Sequence, residues 1–383
     1  MFSGRITLSF LVLLSYASPA AKADNLLQSQ RLYENLNGIP AKDETLNQMV
    51  SHLEAGDGIS AALLAIDDPE GMFYDSVLRR LANVWANENR AARFELNDMT
   101  ATVIGMVRDG KPFNQLLSSD LVYIADDASL PEYSLNNNDH YNELAEKNLR
   151  LKDILVATKQ SDLTNLPKDA VAGLLTTRGF AKAYYIDGTN RAALRFTVFN
   201  FLCRDMERLT DTSRPDFRVR QDVSRNPGGD ASTYKTKCVG CHAGMDALAG
   251  AFAYYDYNND RLTYFPIRPD PKYFVNNDNF PQGFVTQDDS WVNLWVDGPN
   301  KVLGFRGIPK GKGVKSFGRM ITQTEQFSKC MASEALVAVC RADPEDIAVQ
   351  NVRDILAASF EQDDYNMKNL FASAALSCSG GDQ

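Results

Sequence analysis

The stretch Cys238-Val239-Gly240-Cys241-His242-Ala243-Gly244-Met245-Asp246 decides how this chain is read. Positions i and i+3 of a helix share a face, so two thiols at Cys-x-x-Cys spacing can both add to the vinyl groups of one haem. His242 follows directly, where an imidazole becomes the proximal iron ligand. With six cysteines and three histidines in 383 residues, the pattern arises by chance in about one such chain in a thousand. Other uses of paired cysteines fit less well. A thioredoxin-like dithiol opens a helix after a strand in a βαβ setting, which the flanking sequence lacks. A zinc site needs a second Cys/His pair, and none lies within 80 residues. The expectation is one covalent haem c on Cys238, Cys241 and His242.

The N-terminus sets the compartment. Residues 1–23 read as an export signal: Arg5 supplies the positive region, Ile6 to Leu14 the apolar stretch, and Ala21-Lys22-Ala23 the small-x-small cleavage site. The predicted location is therefore periplasmic or secreted. Losing Arg5 and Lys22 from 40 basic residues, against 49 acidic ones, leaves a net charge of −11. Such an acidic surface argues against nucleic acid as a partner. No run of about 18 apolar residues occurs, so no membrane span is expected.

In an oxidising compartment the other four cysteines, Cys203, Cys330, Cys340 and Cys378, predict two disulfides. If residues 314–341 form one helix, Cys330 and Cys340 lie about 15 Å apart and cannot bond to each other. Both remaining pairings tie Cys203 to the C-terminal helices.

Hydrophobic periodicity makes the fold mostly α. A helical N-terminal domain spans 24–168, with apolar stripes at Leu46, Met49, Val50 and Leu53 and again at Phe73, Val77, Leu81, Val84 and Trp85. A third helix runs from about Leu96 to Val107. The Asn136–Asp139 run reads as a loop and a candidate mobile segment. A helical, cytochrome c-like haem domain covers 169–312, with helices over 191–209 and 233–251 and a loop ending in Asn226-Pro227-Gly228-Gly229-Asp230. A strand-like stretch follows at 254–267, and a small hairpin is expected at 291–305 about Asp297-Gly298-Pro299-Asn300. A C-terminal helical subdomain occupies 313–383, with helices over 314–341, 345–360 and 367–377. Asp256-Tyr257-Asn258-Asn259-Asp260 mimics a calcium loop, but Arg261 stands where that loop needs Gly, and a polar turn is the reading.

The segment CVGCHAGMDALAGAFAYYDYNNDR (238–261) resembles the haem-binding domain of the planctomycete-type c-type cytochromes, whose pattern is C-x-G-C-H-x-x-M-D-P with a following aromatic-Asp element and an Arg. Gly318 to Cys340 and Tyr365 to Phe371 resemble that group's C-terminal helical domain. LNGIPAKDE (36–44) and RDGKPFNQLLSSDL (108–121) resemble its N-terminal helices. Ala247 departs from the group's Pro. The resemblance implies a helical fold and a covalent haem rather than a defined activity.

The opposite iron face needs a ligand or stays open. Methionine raises the potential relative to histidine. Met320, 78 residues past His242, is the first distal candidate and His140 the second, with Met99, Met106 and Met206 behind them. Met245 lies on the same helix as His242 and cannot easily cross the ring. His52 reads as a surface residue beside an apolar stripe. Leu248, Phe252, Tyr254 and Phe265 are the expected haem-pocket wall. The expected function is one-electron transfer to a redox partner protein. The alternatives are a peroxidase-like or oxygen-activating haem enzyme with an open distal site, and a partner-docking scaffold carrying an accessory haem.

Overall fold

The computed structural model describes residues 19–185, 188–214, 232–274 and 286–380. The apolar part of the export signal and the loop at 226–230 lie outside the described residues. The described residues are 59% helical and 7% strand, so the mostly α expectation holds. In chain order the longer helices are α1 (Pro19–Asn37), α2 (Asp43–Glu54), α3 (Gly58–Asp67), α4 (Leu78–Trp85), α5 (Asp98–Arg108), α6 (Asp139–Glu146), α7 (Arg178–Tyr184), α8 (Arg191–Leu202), α9 (Val239–Ala249), α10 (Gly313–Thr322), α11 (Glu325–Cys340), α12 (Ile347–Gln362) and α13 (Met367–Cys378). No described helix is long and apolar enough to cross a membrane.

The strands form three two-stranded antiparallel sheets among the described residues: β1 (Val122–Ala125) with β2 (Leu155–Thr158), β3 (Tyr255–Asn258) with β4 (Arg261–Tyr264), and β5 (Ser290–Val292) with β6 (Lys310–Lys312). The stretch expected as one strand at 254–267 is thus a hairpin. Its turn is Asn259-Asp260, both at positive φ, the backbone that two-residue hairpin turns demand and that Asn and Asp tolerate. The calcium-loop mimic is this turn.

Helix α5 organises the interior. Asn97 caps it by accepting the Thr100 N–H at 3.0 Å, and Asp98 to Val107 are buried on every side, its polar members Asp98, Thr100 and Thr102 each hydrogen-bonded. Sheet β1–β2 lies against it so closely that a Cβ on Gly105 would sit 2.1 Å from the Tyr123 ring. Helix α13 packs back onto α1 and α3, and one apolar cluster runs from Leu32 to Ala375. The three segments read from sequence therefore share a continuous core.

Several boundaries differ from the sequence reading. The helix expected over 314–341 breaks at Gln323-Thr324, because Thr324 starts α11 by accepting the Phe327 N–H. The helix expected to reach 209 ends at Cys203, which adopts a left-handed conformation with φ 50°. The hairpin expected at 291–305 is absent. Trp291 instead pairs with Gly311 across β5–β6, and Gly298–Leu303 forms a tight helical turn with Pro at its start, where a missing N–H costs nothing. The run at 136–139 is pinned: the Asn138 side chain is buried and donates to the Leu96 carbonyl at 2.8 Å.

Two disulfides join Cys203 to Cys330 and Cys340 to Cys378. Cys330 and Cys340 do lie on one helix, α11, so the exclusion of that pair holds. The first bridge ties the end of α8 to α11, and the second ties the ends of α11 and α13.

Candidate functional site

The chain enters the Cys-x-x-Cys-His segment through one wide helical turn, Tyr234–Cys238, and leaves it along α9. Wide turns of this kind recur at functional sites. Cys238 and Cys241 are half-buried and unbridged, in a chain whose other four cysteines pair. The segment 206–211 runs alongside. The Cys241 thiol reaches the Met206 carbonyl at 3.6 Å, the Asp211 N–H donates to the Gly240 carbonyl at 2.9 Å, and Asn300 anchors the Leu209 carbonyl at 3.0 Å. Burial pushes the Asp211 carboxyl up, but bonds from Ser213 and Arg214 outweigh it and hold Asp211 below the usual carboxylate range.

Burial, followed by the nearby charge of Glu207, pushes the Cys241 thiol above its ordinary value.

His242 is the best-defined element. Its Nδ1–H donates to Asp246 Oδ1 at 3.0 Å, one helical turn on, and the Asp246 side chain is fully buried while His242 is 15% exposed. An ionised carboxylate only accepts, so this bond orients the ring through Nδ1, and Nε2 is the nitrogen that would face a metal. The buried Tyr234 ring lies 5.8 Å from the imidazole. On the next turn of α9 a Cβ on Gly244 would sit 2.0 Å from Trp295 Nε1, so this glycine is what lets the buried indole close over the helix. The motif led to the two thiols and His242. The role of Asp246 was missed, although a carboxylate four residues after a histidine is a signal that helix spacing makes readable.

The distal candidates separate. His140 is buried on α6, not solvated in a loop. Its Nδ1–H donates to the Pro131 carbonyl at 2.7 Å, and its Nε2 accepts the Ala125 N–H at 3.0 Å. Both nitrogens are committed, one to β1 and one to the Pro131 carbonyl, so His140 is not available as a ligand in this structure. His52 sits on α2 near Asp57 at 3.9 Å. Met320 is buried on α10, and its sulfur accepts Asn293 Nδ2 at 3.1 Å. Asn293 in turn accepts the Trp295 N–H at 2.9 Å, which connects Met320 to the wall of the His242 helix. Met99 and Met106 are buried on α5, and Met206 faces the site through its carbonyl. Of the expected pocket wall, Phe252 is spent in the core against Phe317 and Tyr185, and Leu248 is fully buried. Tyr254 packs edge-on against Tyr264.

One further cluster of metal-binding residue types, Cys203, Cys330 and Glu334, comes together among the described residues. Its two sulfurs are bonded to each other, so neither is a thiolate and the cluster is no metal site. Compared with known proteins, the chain matches no family model, no curated protein and no solved structure.

Proposed function

We propose that this chain is an exported monohaem c-type cytochrome that carries single electrons to a redox partner protein. The observation behind it is the contact between His242 Nδ1 and the buried Asp246 carboxyl within the Cys-x-x-Cys-His segment. A Cys-x-x-Cys-His segment whose imidazole is tied by Nδ1 to a buried carboxylate, with Nε2 left over, matches what proximal iron ligation requires. Cys238 and Cys241 would hold the haem through thioethers, and His242 would hold the iron. The group supplies reversible one-electron chemistry when bound. Asp246 keeps the ring oriented and raises the basicity of Nε2, a partner's role that lowers the reduction potential.

Met320 is the proposed distal ligand. A thioether sulfur has two lone pairs. Asn293 occupies one and restrains the side chain, which leaves the other for the metal. A filled sixth position suits a carrier, because it excludes competing ligands.

Haemochrome spectra and intact mass test the reading. The purified chain should show c-type bands and carry the mass of one haem, and Cys238→Ala with Cys241→Ala should lose both. Covalent haem surviving that double substitution overturns the assignment. Asp246→Asn should keep the thioethers yet raise the potential, and Met320→Ala should remove the weak sulfur-to-iron band at the red edge. Rapid stoichiometric binding of carbon monoxide by the reduced wild type, with peroxide turnover, would refute the carrier reading in favour of an enzyme.

A further inference from the structure

Beyond the left-handed Cys203, a second feature gathers that the cytochrome reading does not use. Between the end of α8, the middle of α11 and the first turns of α12 lies a cavity of about 410 Å³. Four guanidinium groups line it, from Arg90, Arg204, Arg208 and Arg353, against two carboxylates, Glu334 and Glu345.

The pairing is incomplete. Arg90 faces Glu334 at 3.8 Å and gives its other nitrogen to Asn200. Arg353 pairs with Asp354 at 2.7 Å. Arg208 meets Glu345 only at 3.9 Å with both side chains mostly exposed, beyond hydrogen-bond distance and worth little. Half-buried Arg204 has no ion pair among the described residues. Burial, then the proximity of Arg208 and Arg353, pushes its guanidinium below its ordinary value. Like charges held close together cost free energy that an anion between them repays. Planar guanidinium forks also match oxyanions two bonds at a time.

We infer that this cavity binds a multivalent oxyanion through Arg204, Arg208 and Arg353. The volume falls within the range of small-ligand pockets. It exceeds what one phosphate fills and suits a pyrophosphate or a tricarboxylate. The Cys203–Cys330 bridge fixes the end of α8 against α11, so Arg204, next to Cys203, is presented by a braced frame. The inference stands independently of the haem.

Titration calorimetry on the purified full chain, with inorganic pyrophosphate and with citrate at matched ionic strength, tests it. Saturable binding of either is expected, at least about tenfold weaker in Arg204→Gln and in Arg353→Gln. It should be unchanged in Arg319→Gln, an exposed residue outside the cavity. Pyrophosphate binding alone would define a phosphoanhydride site, and binding of both a general multivalent-anion site. A thermal melt separates this from a structural role. Without anion, Arg204→Gln should melt at or above wild type, because it relieves repulsion, and it should lose the anion-induced rise. No saturable binding up to about 10 mM, equal affinity in both variants, or a lower anion-free melting temperature in Arg204→Gln overturns the inference.

Discussion

The two disulfides enclose very different lengths of chain, and their contributions to stability should differ accordingly. Cys203–Cys330 spans 127 residues and Cys340–Cys378 spans 38. In the chain-entropy description, closing a loop removes about 2.1 + 1.5R ln n cal/mol/K from the unfolded ensemble. At 25 °C that is about 4.9 kcal/mol for the longer loop and about 3.9 kcal/mol for the shorter. The longer loop contains the whole Cys-x-x-Cys-His segment, whereas the shorter one contains only the C-terminal helices. Replacing each pair by alanine, Cys203→Ala with Cys330→Ala or Cys340→Ala with Cys378→Ala, isolates the two effects. Cys330 is 1% exposed and packed in the core, so alanine also leaves a small void there and widens the gap in the same direction. Urea unfolding followed by circular dichroism, with the slope checked for constancy, reads the difference. The first double variant should lose more stability than the second by roughly 1 kcal/mol or more. The reasoning is refuted if the C-terminal pair costs as much as the long-loop pair. It is equally refuted if either costs less than about 1 kcal/mol.

Three other perturbations follow from individual contacts. Asp98 is buried and accepts the Arg178 and Gly179 N–H groups at 2.7 and 2.8 Å and the Tyr133 hydroxyl at 2.9 Å; Asp98→Ala strands these donors and should cost about 3–5 kcal/mol in urea unfolding. Gly244→Ala drives a methyl into Trp295 and should cost about 1–3 kcal/mol while shifting tryptophan emission. Two hydrogen bonds from Arg195, at 3.1 and 2.7 Å, hold the Asp205 carboxyl below its ordinary value. That stabilisation is present above the usual carboxylate range and fades as acid protonates Asp205. The partly exposed pair should therefore make Asp205→Asn less stable by about 0.5 kcal/mol at pH 7, with the difference shrinking as pH falls below the ordinary carboxylate range.

Local chemistry was legible in the linear sequence wherever a short-range rule decides the outcome. The Leu46–Leu53 stripe and Gly56, at φ 75°, bound α2 as read, since a helix stops where a left-handed backbone is needed. Helix geometry alone forbade a Cys330–Cys340 bridge, because ten residues at 1.5 Å each outrun any disulfide. The Cys-x-x-Cys-His spacing likewise marked the site, because both thiols and the imidazole lie within two turns of one another. What the sequence left open needed partners far along the chain. The choice of Cys330 over Cys340 for Cys203 depends on which turn of α11 meets the end of α8. The strand at 290–292 took a partner beyond 309 rather than one across the nearest turn, because Gly298-Pro299 favours a helical turn to a hairpin. His140 looked like a solvated loop residue until β1 and Pro131 were brought to its two nitrogens. The arginine cavity draws its cations from the segment after α8, from α12 and from the loop before α5, up to 263 positions apart. Burial and charge crowding are sums over neighbours in space, and only the folded chain determines who those neighbours are.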